Sequence, residues 1–310
     1  MNQNQVEKNA YDFSFKLNTL FTDVSYDNIV VGFNPSLLYR ISTVMTVHGE
    51  FYGSYYNYKP ETIIENSTAY NGIIAGDYVP YLTYNGGATF YLWEETYEGR
   101  TKFSLPKKTR NGQANSYFLE VEGVEKIRQF GLRLTAGKYQ GQIAEKGLEF
   151  EGYNKDTLIA SLDNSNANNY TSINYNLFSV GFSYEQINHL KINIKTDSLG
   201  SRSKLNHWRV YVDFLLARQM TIGEILYTWE EGGEVVNEVF QLQKWTIPGE
   251  DTYSMEYMGF RTGFEFNATG KVGFTYGVEL GARPGTGNFA ERGYINAKLG
   301  VSFNWRLINL

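Results

Sequence analysis

The feature that most constrains the fold is an alternation of apolar and polar residues in long segments near the end of the sequence. In the segment 258–266, one face carries mainly apolar side chains and the other carries glycine, arginine and glutamate. The pattern returns in 272–281 and in 295–305. Side chains alternate across a β-strand, so the pattern predicts strands with one apolar face. The segments are about 9 to 12 residues long, the length that crosses a hydrocarbon core at a tilt, whereas strands of soluble proteins average about 5 to 6.

Earlier segments repeat this design, among them 13–18, 130–136, 178–184 and 208–214. The run 37–58 alternates throughout, and we interpret it either as one strand that projects beyond a membrane or as a hairpin that turns near Gly49. The rhythm predicts about 12 to 14 strands, an even number being usual in bacterial single-chain barrels.

Composition excludes several other classes of protein. The mean hydropathy is −0.39, and no stretch approaches the roughly 18 to 20 apolar residues of a membrane helix. A net charge of −5 argues against a general nucleic-acid binder. The absence of cysteine excludes disulfides and thiolate metal sites.

We therefore predict an all-β fold, a single transmembrane antiparallel up-and-down β-barrel formed by residues 11–310. Residues 1–10 form a short polar N-terminal segment, which cannot be a secretory signal peptide. Because a barrel of this kind must be exported, we expect the numbering to describe a mature or recombinant form.

The competing interpretation is a soluble β-sandwich that binds carbohydrate, since its strands also alternate. Long strands, short turns in the last third, and a polar face of glycine, serine, asparagine and threonine favour the membrane barrel over a Lys/Glu-rich soluble surface. Aromatic residues near predicted strand ends are expected to form girdles at the membrane surface, although they could also stack on sugars. These residues are Tyr52, Tyr55, Tyr56, Tyr58, Tyr78, Tyr81, Tyr84, Tyr91, Trp93 and Tyr97.

The segment Ala297–Trp305, with its alternating apolar and aromatic positions, resembles the last-strand insertion signal of bacterial outer-membrane barrels. The sequence departs from that signal by ending in Asn309–Leu310 rather than in a terminal Phe or Trp. Its Tyr/Asn-rich composition is similar to that of barrels of the Bacteroidota type. The resemblance implies a location in the bacterial outer membrane, with the lipid bilayer as partner.

Because side chains alternate along each strand, the sequence assigns them in turn to the inside and the outside of such a barrel. The charged residues expected to line the lumen are Arg133, Arg209, Asp213, Arg261, Glu265, Glu279 and Lys298. The residues expected to face the membrane are Phe260, Phe264, Phe274, Tyr276, Val301, Phe303 and Trp305. Inward charges must either pair or face water, so they predict a hydrated pore or a closed lumen with a packed polar core. Glu265 and Glu279 could each meet Arg261, Arg283 or Lys298.

No motif indicates catalysis, a metal or a cofactor. His48, Glu50 and Ser54 lie on one face of a strand. A hydrolase needs a Ser, a His and an orienting group close together, but the two-residue alternation of a strand is enough to explain this placement. His189 and His207 lie beside predicted turns and are expected to be solvated. We therefore expect that the protein is not an enzyme.

Two functions remain open at this point. The first is a porin-like channel for small solutes, and the alternative is a non-conducting subunit or scaffold of an outer-membrane complex for secretion, assembly or uptake. Other outer-membrane proteins would then be partners, and nucleic acid would not.

Overall fold

The fold is all-β in the computed structural model of this 310-residue chain. The structure describes residues 13–25, 28–58, 81–104, 108–110, 113–115, 118–145, 169–193, 201–222, 225–231, 234–240, 256–268, 272–286 and 289–305. Within these ranges, no helix is long and apolar enough to cross a bilayer.

Fourteen strands lie in the described ranges. They are β1 (Phe13–Ser25), β2 (Ile29–Ser42), β3 (Met45–Tyr58), β4 (Leu82–Ser104), β5 (Lys108–Arg110), β6 (Gln113–Asn115), β7 (Phe118–Glu145), β8 (Asn169–Asn193), β9 (Ser201–Ile222), β10 (Ile225–Glu231), β11 (Glu234–Phe240), β12 (Met258–Ala268), β13 (Val272–Ala282) and β14 (Gly293–Trp305).

Ten of these strands form a closed antiparallel barrel in the order β1-β2-β3-β4-β7-β8-β9-β12-β13-β14, and β14 returns to pair with β1. The predicted up-and-down barrel is therefore confirmed. The barrel has fewer strands than the 12 to 14 expected, because β4, β7, β8 and β9 are 22 to 28 residues long. The other four strands form two separate hairpins, β5–β6 and β10–β11.

The run 37–58 is a hairpin rather than one projecting strand, and it turns at Thr43–Val44 rather than near Gly49. Gly49 lies within β3 and pairs with Leu37 on β2. A two-residue turn leaves the parity of inward and outward positions unchanged. The same parity therefore holds on both sides of the turn, and only Thr43 and Val44 depart from it.

Burial along the strands is inverted relative to a soluble protein. On β14, Asn296, Lys298 and Ser302 are buried inside the barrel, while Ile295 and Leu299 are exposed on its outer surface. The same inversion holds on β9, where Arg209 and Asp213 are buried and Phe214 is 64% exposed. The barrel thus has a polar interior and an apolar outer surface.

We name the end of the barrel that carries Phe13 and Trp305 the terminal end, and the opposite end the distal end. The β4–β7 hairpin extends past the terminal end, because β3 stops at Met45, the partner of Phe90 on β4. Beyond that point, β4 continues with β7 alone from Trp93, the partner of Phe130, to Ser104. This projecting part of β4 and β7 is called the ribbon below.

Candidate functional site

The candidate site is the lumen, where the ten strands bring their polar faces together. Its centre is Glu265 on β12, whose carboxylate accepts hydrogen bonds from three cations. Lys16 Nζ donates to Oε2 at 3.1 Å, Arg209 Nη2 donates to the same oxygen at 2.7 Å, and Lys298 Nζ donates to Oε1 at 3.0 Å. The cations come from β1, β9 and β14, so one carboxylate ties together four strands. Lys298 also lies 4.0 Å from Glu50.

A second cluster lies beside the first and is centred on Asp213, which is fully buried. Arg261 Nε donates to Asp213 at 2.9 Å, and Arg133 Nε lies 3.3 Å from the same carboxylate. The Arg261 guanidinium reaches Glu279 at 3.7 Å. Glu279 accepts hydrogen bonds from the hydroxyls of Tyr211 at 2.5 Å and Tyr294 at 2.7 Å.

The two clusters contain all seven charged residues that the sequence analysis assigned to the lumen. The structure brings them together with Lys16 and Glu50, and with Glu185, whose carboxylate lies 2.9 Å from His207. Five carboxylates and five Lys or Arg side chains thus occupy the middle of the barrel. Glu265 meets Lys298 and Glu279 meets Arg261, as the sequence allowed, whereas Arg283 pairs with Asp23 instead. Burial of so many charges is tolerable because all of them except Glu185, which contacts His207, have an opposite charge within 4.0 Å.

At its terminal end, the lumen contains a small apolar layer and, beside it, a further ion pair. Leu38, Ile127 and Ile187 pack against one another as a buried cluster. Beside it, Arg40 lies 3.7 Å from Glu94, and Glu94 accepts a hydrogen bond from Gln129 at 2.6 Å.

Tyrosines and Arg283 lie together at the distal end of the lumen. The Arg283 guanidinium lies 3.7 Å from the centre of the Tyr294 ring, 5.4 Å from that of Tyr139 and 5.8 Å from that of Tyr81. It also donates to the buried carboxylate of Asp23. A cavity of about 30 Å³ lies beneath these rings, with room for about one or two water molecules. Four polar atoms of its lining are buried without a hydrogen-bond partner, and water would satisfy them: Thr83 Oγ1, Asn85 Nδ2, Tyr175 OH and Asn296 Oδ1.

Some aromatic residues expected in the girdles lie inside the barrel instead. Tyr52 and Tyr81 are only 3% and 5% exposed. Tyr91 hydrogen-bonds to Thr46 and Glu185 in the lumen. These tyrosines occupy inward-facing positions of their strands, and a position near a strand end does not turn a side chain outward. Tyr55, Tyr56, Tyr84 and Trp93 are exposed, while Tyr78 and the side chain of Tyr58 lie outside the described residues.

An outward aromatic row does border the terminal end. Phe13 and Trp305 pack with ring centroids 5.4 Å apart, and Tyr184 and Trp208 pack at the same separation. The residues assigned to the outer face in the sequence analysis point outward, with Phe274 and Trp305 each 48% exposed and Tyr276 and Val301 each 38% exposed. Phe260, Phe264 and Phe303 are half-buried among outward neighbours.

The hydrolase arrangement considered for His48 is not formed. Both ring nitrogens of His48 are buried and have no hydrogen-bond partner among the described residues. Glu50 accepts from Tyr52, and Ser54 Oγ accepts from the backbone N–H of Tyr81. The expectation that His207 is solvated is wrong, because β9 continues past it and turns it into the lumen beside Glu185. The side chain of His189 lies outside the described part of the chain.

Lys16, Glu185 and Asp23 were not among the predicted site residues, although Lys16 and Glu185 lie on the polar faces of alternating segments. Parity could have found these two but not Asp23, because the bulge between Leu17 and Leu20 shifts the parity of β1 before that residue. The partners of all three could not be predicted. Lys16 and Glu265, for example, are separated by 249 positions.

No protein-family model matches the chain, and no curated protein matches it.

Proposed function

We propose that this chain is an integral β-barrel of the bacterial outer membrane with a closed lumen, and that it serves as a non-conducting subunit or scaffold of an envelope complex. The inverted burial pattern carries the proposal. Charged side chains are buried inside the barrel, and its outer surface between the two ends is apolar.

The outer surface argues for lipid as its surroundings. On β9, the five outward residues from Trp208 to Leu216 are all apolar and span nine positions, close to the length a tilted strand needs to cross a bilayer. Similar outward runs on neighbouring strands join into one belt. Soluble monomers rarely expose apolar patches larger than a few hundred Å², so a belt around the whole barrel favours a membrane.

The packed lumen favours a scaffold over a porin. Side chains that line a water-filled pore are accessible to water, whereas Arg133, Arg209, Asp213 and Lys298 are each at most 6% exposed. Conduction would require the ion pairs to separate and the cations to lose their carboxylate partners.

Two further features are compatible with partner binding. The ribbon extends β4 and β7 beyond the apolar belt at the terminal end. Apart from the ribbon, the connections at the terminal end, 43–44, 194–200 and 269–271, are short, whereas three of the five at the distal end, 59–81, 146–168 and 223–257, are long. Outer-membrane barrels have short periplasmic turns and longer extracellular loops, so we infer that the distal end faces outward from the cell.

The membrane location is tested at Val212, in the middle of the outward run on β9 and 46% exposed. In lipid, Val212→Arg should cost about 2 to 4 kcal/mol of stability. For a soluble barrel, the same exposed substitution should change stability by no more than about 0.5 kcal/mol. Urea unfolding of protein refolded into phosphatidylcholine vesicles measures the difference, with Val212→Leu as the matched apolar control. Equal stability of the Arg and Leu variants would refute the membrane location.

We also propose that the barrel is not a hydrolase, a view supported by the unpartnered ring of His48. Hydrolysis of a nitrophenyl ester in detergent is expected to stay at background. An activity above background that disappears in His48→Ala, with folding retained, would refute this view.

A further inference from the structure

We propose that Lys138 on β7 and Arg218 on β9 form a binding site for the phosphate of an anionic lipid head group, on the outer surface next to the distal end. The inference rests on the proposed membrane location and adds to it the residues and head-group chemistry of one lipid site.

The distribution of outward charges singles out these two residues. Between the two ends of the barrel, outward positions of the described strand residues carry no charge. On β7, Lys138 directly follows the outward apolar run that includes Leu134 and Ala136, and on β9, Arg218 directly follows the run that ends at Leu216. Both cations are exposed. They are thus the first charges met beyond the apolar belt on this side of the barrel.

Strand register places the two cations in one row. Lys138 is the direct partner of Asn176 on β8, and Asn176 is the direct partner of Arg218. Neighbouring strands are about 4.8 Å apart, so the backbones of the two cationic residues are about 10 Å apart. Long cationic side chains can converge across that distance on one phosphate, above the amide of Asn176.

A β-bulge stabilises this row. The β8–β9 register shifts between Asn174 and Asn176, where Gln219 has a φ of 56°, in the left-handed region. Asn176 Nδ2 donates a hydrogen bond to Gln219 Oε1 at 2.6 Å, which holds the bulge against β8. Bulges redirect side chains and are maintained as specific features of a fold, and this one directly follows Arg218.

Neither cation forms an ion pair with another residue that the structure describes. The ion pairs between described residues lie in the lumen or on the ribbon, and none includes Lys138 or Arg218. The outward cations at the terminal end differ in this respect. Lys126 Nζ donates to the carbonyl oxygen of Arg100 at 2.8 Å, and Arg128 stacks 3.7 Å from the centre of the Tyr97 ring.

A lipid head group is the occupant that fits this position. Cationic side chains beside an apolar belt extend into the head-group layer, where lipid phosphates lie. An anionic lipid places its acyl chains against Ala136, Phe178 and Leu216 when its phosphate meets the row above them. Each Lys or Arg near an anionic membrane surface is expected to favour such a lipid about fivefold.

The test uses the full chain refolded into phosphatidylcholine vesicles that contain a small fraction of spin-labelled phosphatidylglycerol. Electron paramagnetic resonance gives the fraction of labelled lipid immobilised at the protein, which is compared with that of spin-labelled phosphatidylcholine. The wild type should prefer phosphatidylglycerol severalfold, and Lys138→Gln/Arg218→Gln should bring the ratio close to one. The matched control, Lys126→Gln/Arg128→Gln, should keep most of the preference.

The outcomes separate this inference from the proposed function. A wild type that inserts, as shown by resistance to heat in detergent, but has no preference for phosphatidylglycerol would overturn the lipid site alone. The same holds if the Lys138/Arg218 variant keeps the full preference, or if the control loses it equally. A wild type that does not insert would overturn the membrane location and the lipid site with it.

Discussion

At the scale of single residues, the barrel depends on carboxylates that are shared among several cations. Glu265 accepts from Lys16, Arg209 and Lys298, whereas Glu279 accepts mainly from the hydroxyls of Tyr211 and Tyr294. Removing one partner of a buried charge cluster leaves the other charges without compensation. The two glutamates therefore differ in what their neutralisation would leave behind.

We expect Glu265→Gln to destabilise the barrel by about 3 to 5 kcal/mol, because three buried cations would lose their common counter-charge. Glu279→Gln, on the adjacent strand and equally buried, should cost only about 1 to 2 kcal/mol, since its main partners are neutral hydroxyls. Urea unfolding in phosphatidylcholine vesicles measures both free energies. Equal losses in the two variants would contradict the central role of Glu265.

The sequence predicts which residues face inward at this scale, but it does not predict their partners. Parity alone puts Glu265, Glu279 and Lys298 on polar faces, and the structure brings all three into the lumen. The pairing of Lys16 with Glu265 depends on how β14 closes the barrel against β1. That register is a property of the closed sheet and is not visible in any local segment.

At the scale of strands, closure depends on a close approach at the β1 bulge. The β1–β14 register shifts between Leu17 and Leu20, opposite Gly300 on β14. A Cβ on Gly300 would overlap the carbonyl oxygen of Leu17 and the backbone of Asn18. No side chain larger than hydrogen fits there without moving the β1 backbone.

Gly300→Ala is therefore expected to destabilise the barrel by about 1 to 3 kcal/mol, the usual cost of overpacking. Gly49→Ala is the matched control, because its Cβ would lie 3.8 Å from the nearest neighbour, the carbonyl oxygen of Asn85. The midpoint of urea unfolding should fall in the first variant and stay close to that of the wild type in the second. A tolerated alanine at 300 would mean that the β1 bulge can move freely.

Strand number was the part of the architecture that the sequence could not provide. The alternation predicted the bounds of β12, β13 and β14 to within two residues, because each of these strands is about as long as the apolar belt is high. It failed to give the number of barrel strands because β7 and β8 are 28 and 25 residues long and their apolar positions change parity within the strand, as between Leu177 and Phe178 on β8. Where one strand is twice the expected length, period two alone cannot distinguish it from two shorter ones.

At the scale of the whole molecule, the apolar outer surface and the charged lumen both fit a barrel that is surrounded by lipid and filled by its own side chains. The apolar belt would be solvated by lipid, and the interior charges balance within the barrel. Arg40–Glu94 near the terminal end and Arg283–Asp23 near the distal end continue that balance beyond the central clusters. If the proposed membrane location holds, the ends and the outer surface of the barrel are the parts available to partners.

The most direct test of the closed membrane barrel is electrical recording from the wild type in a planar phosphatidylcholine bilayer, with insertion verified on the same preparation by resistance to heat and protease. Inserted protein is expected to give no current, because the ion pairs and the apolar layer fill the lumen. Stable, stepwise conductance from the wild type would contradict the closed lumen and favour a porin-like channel.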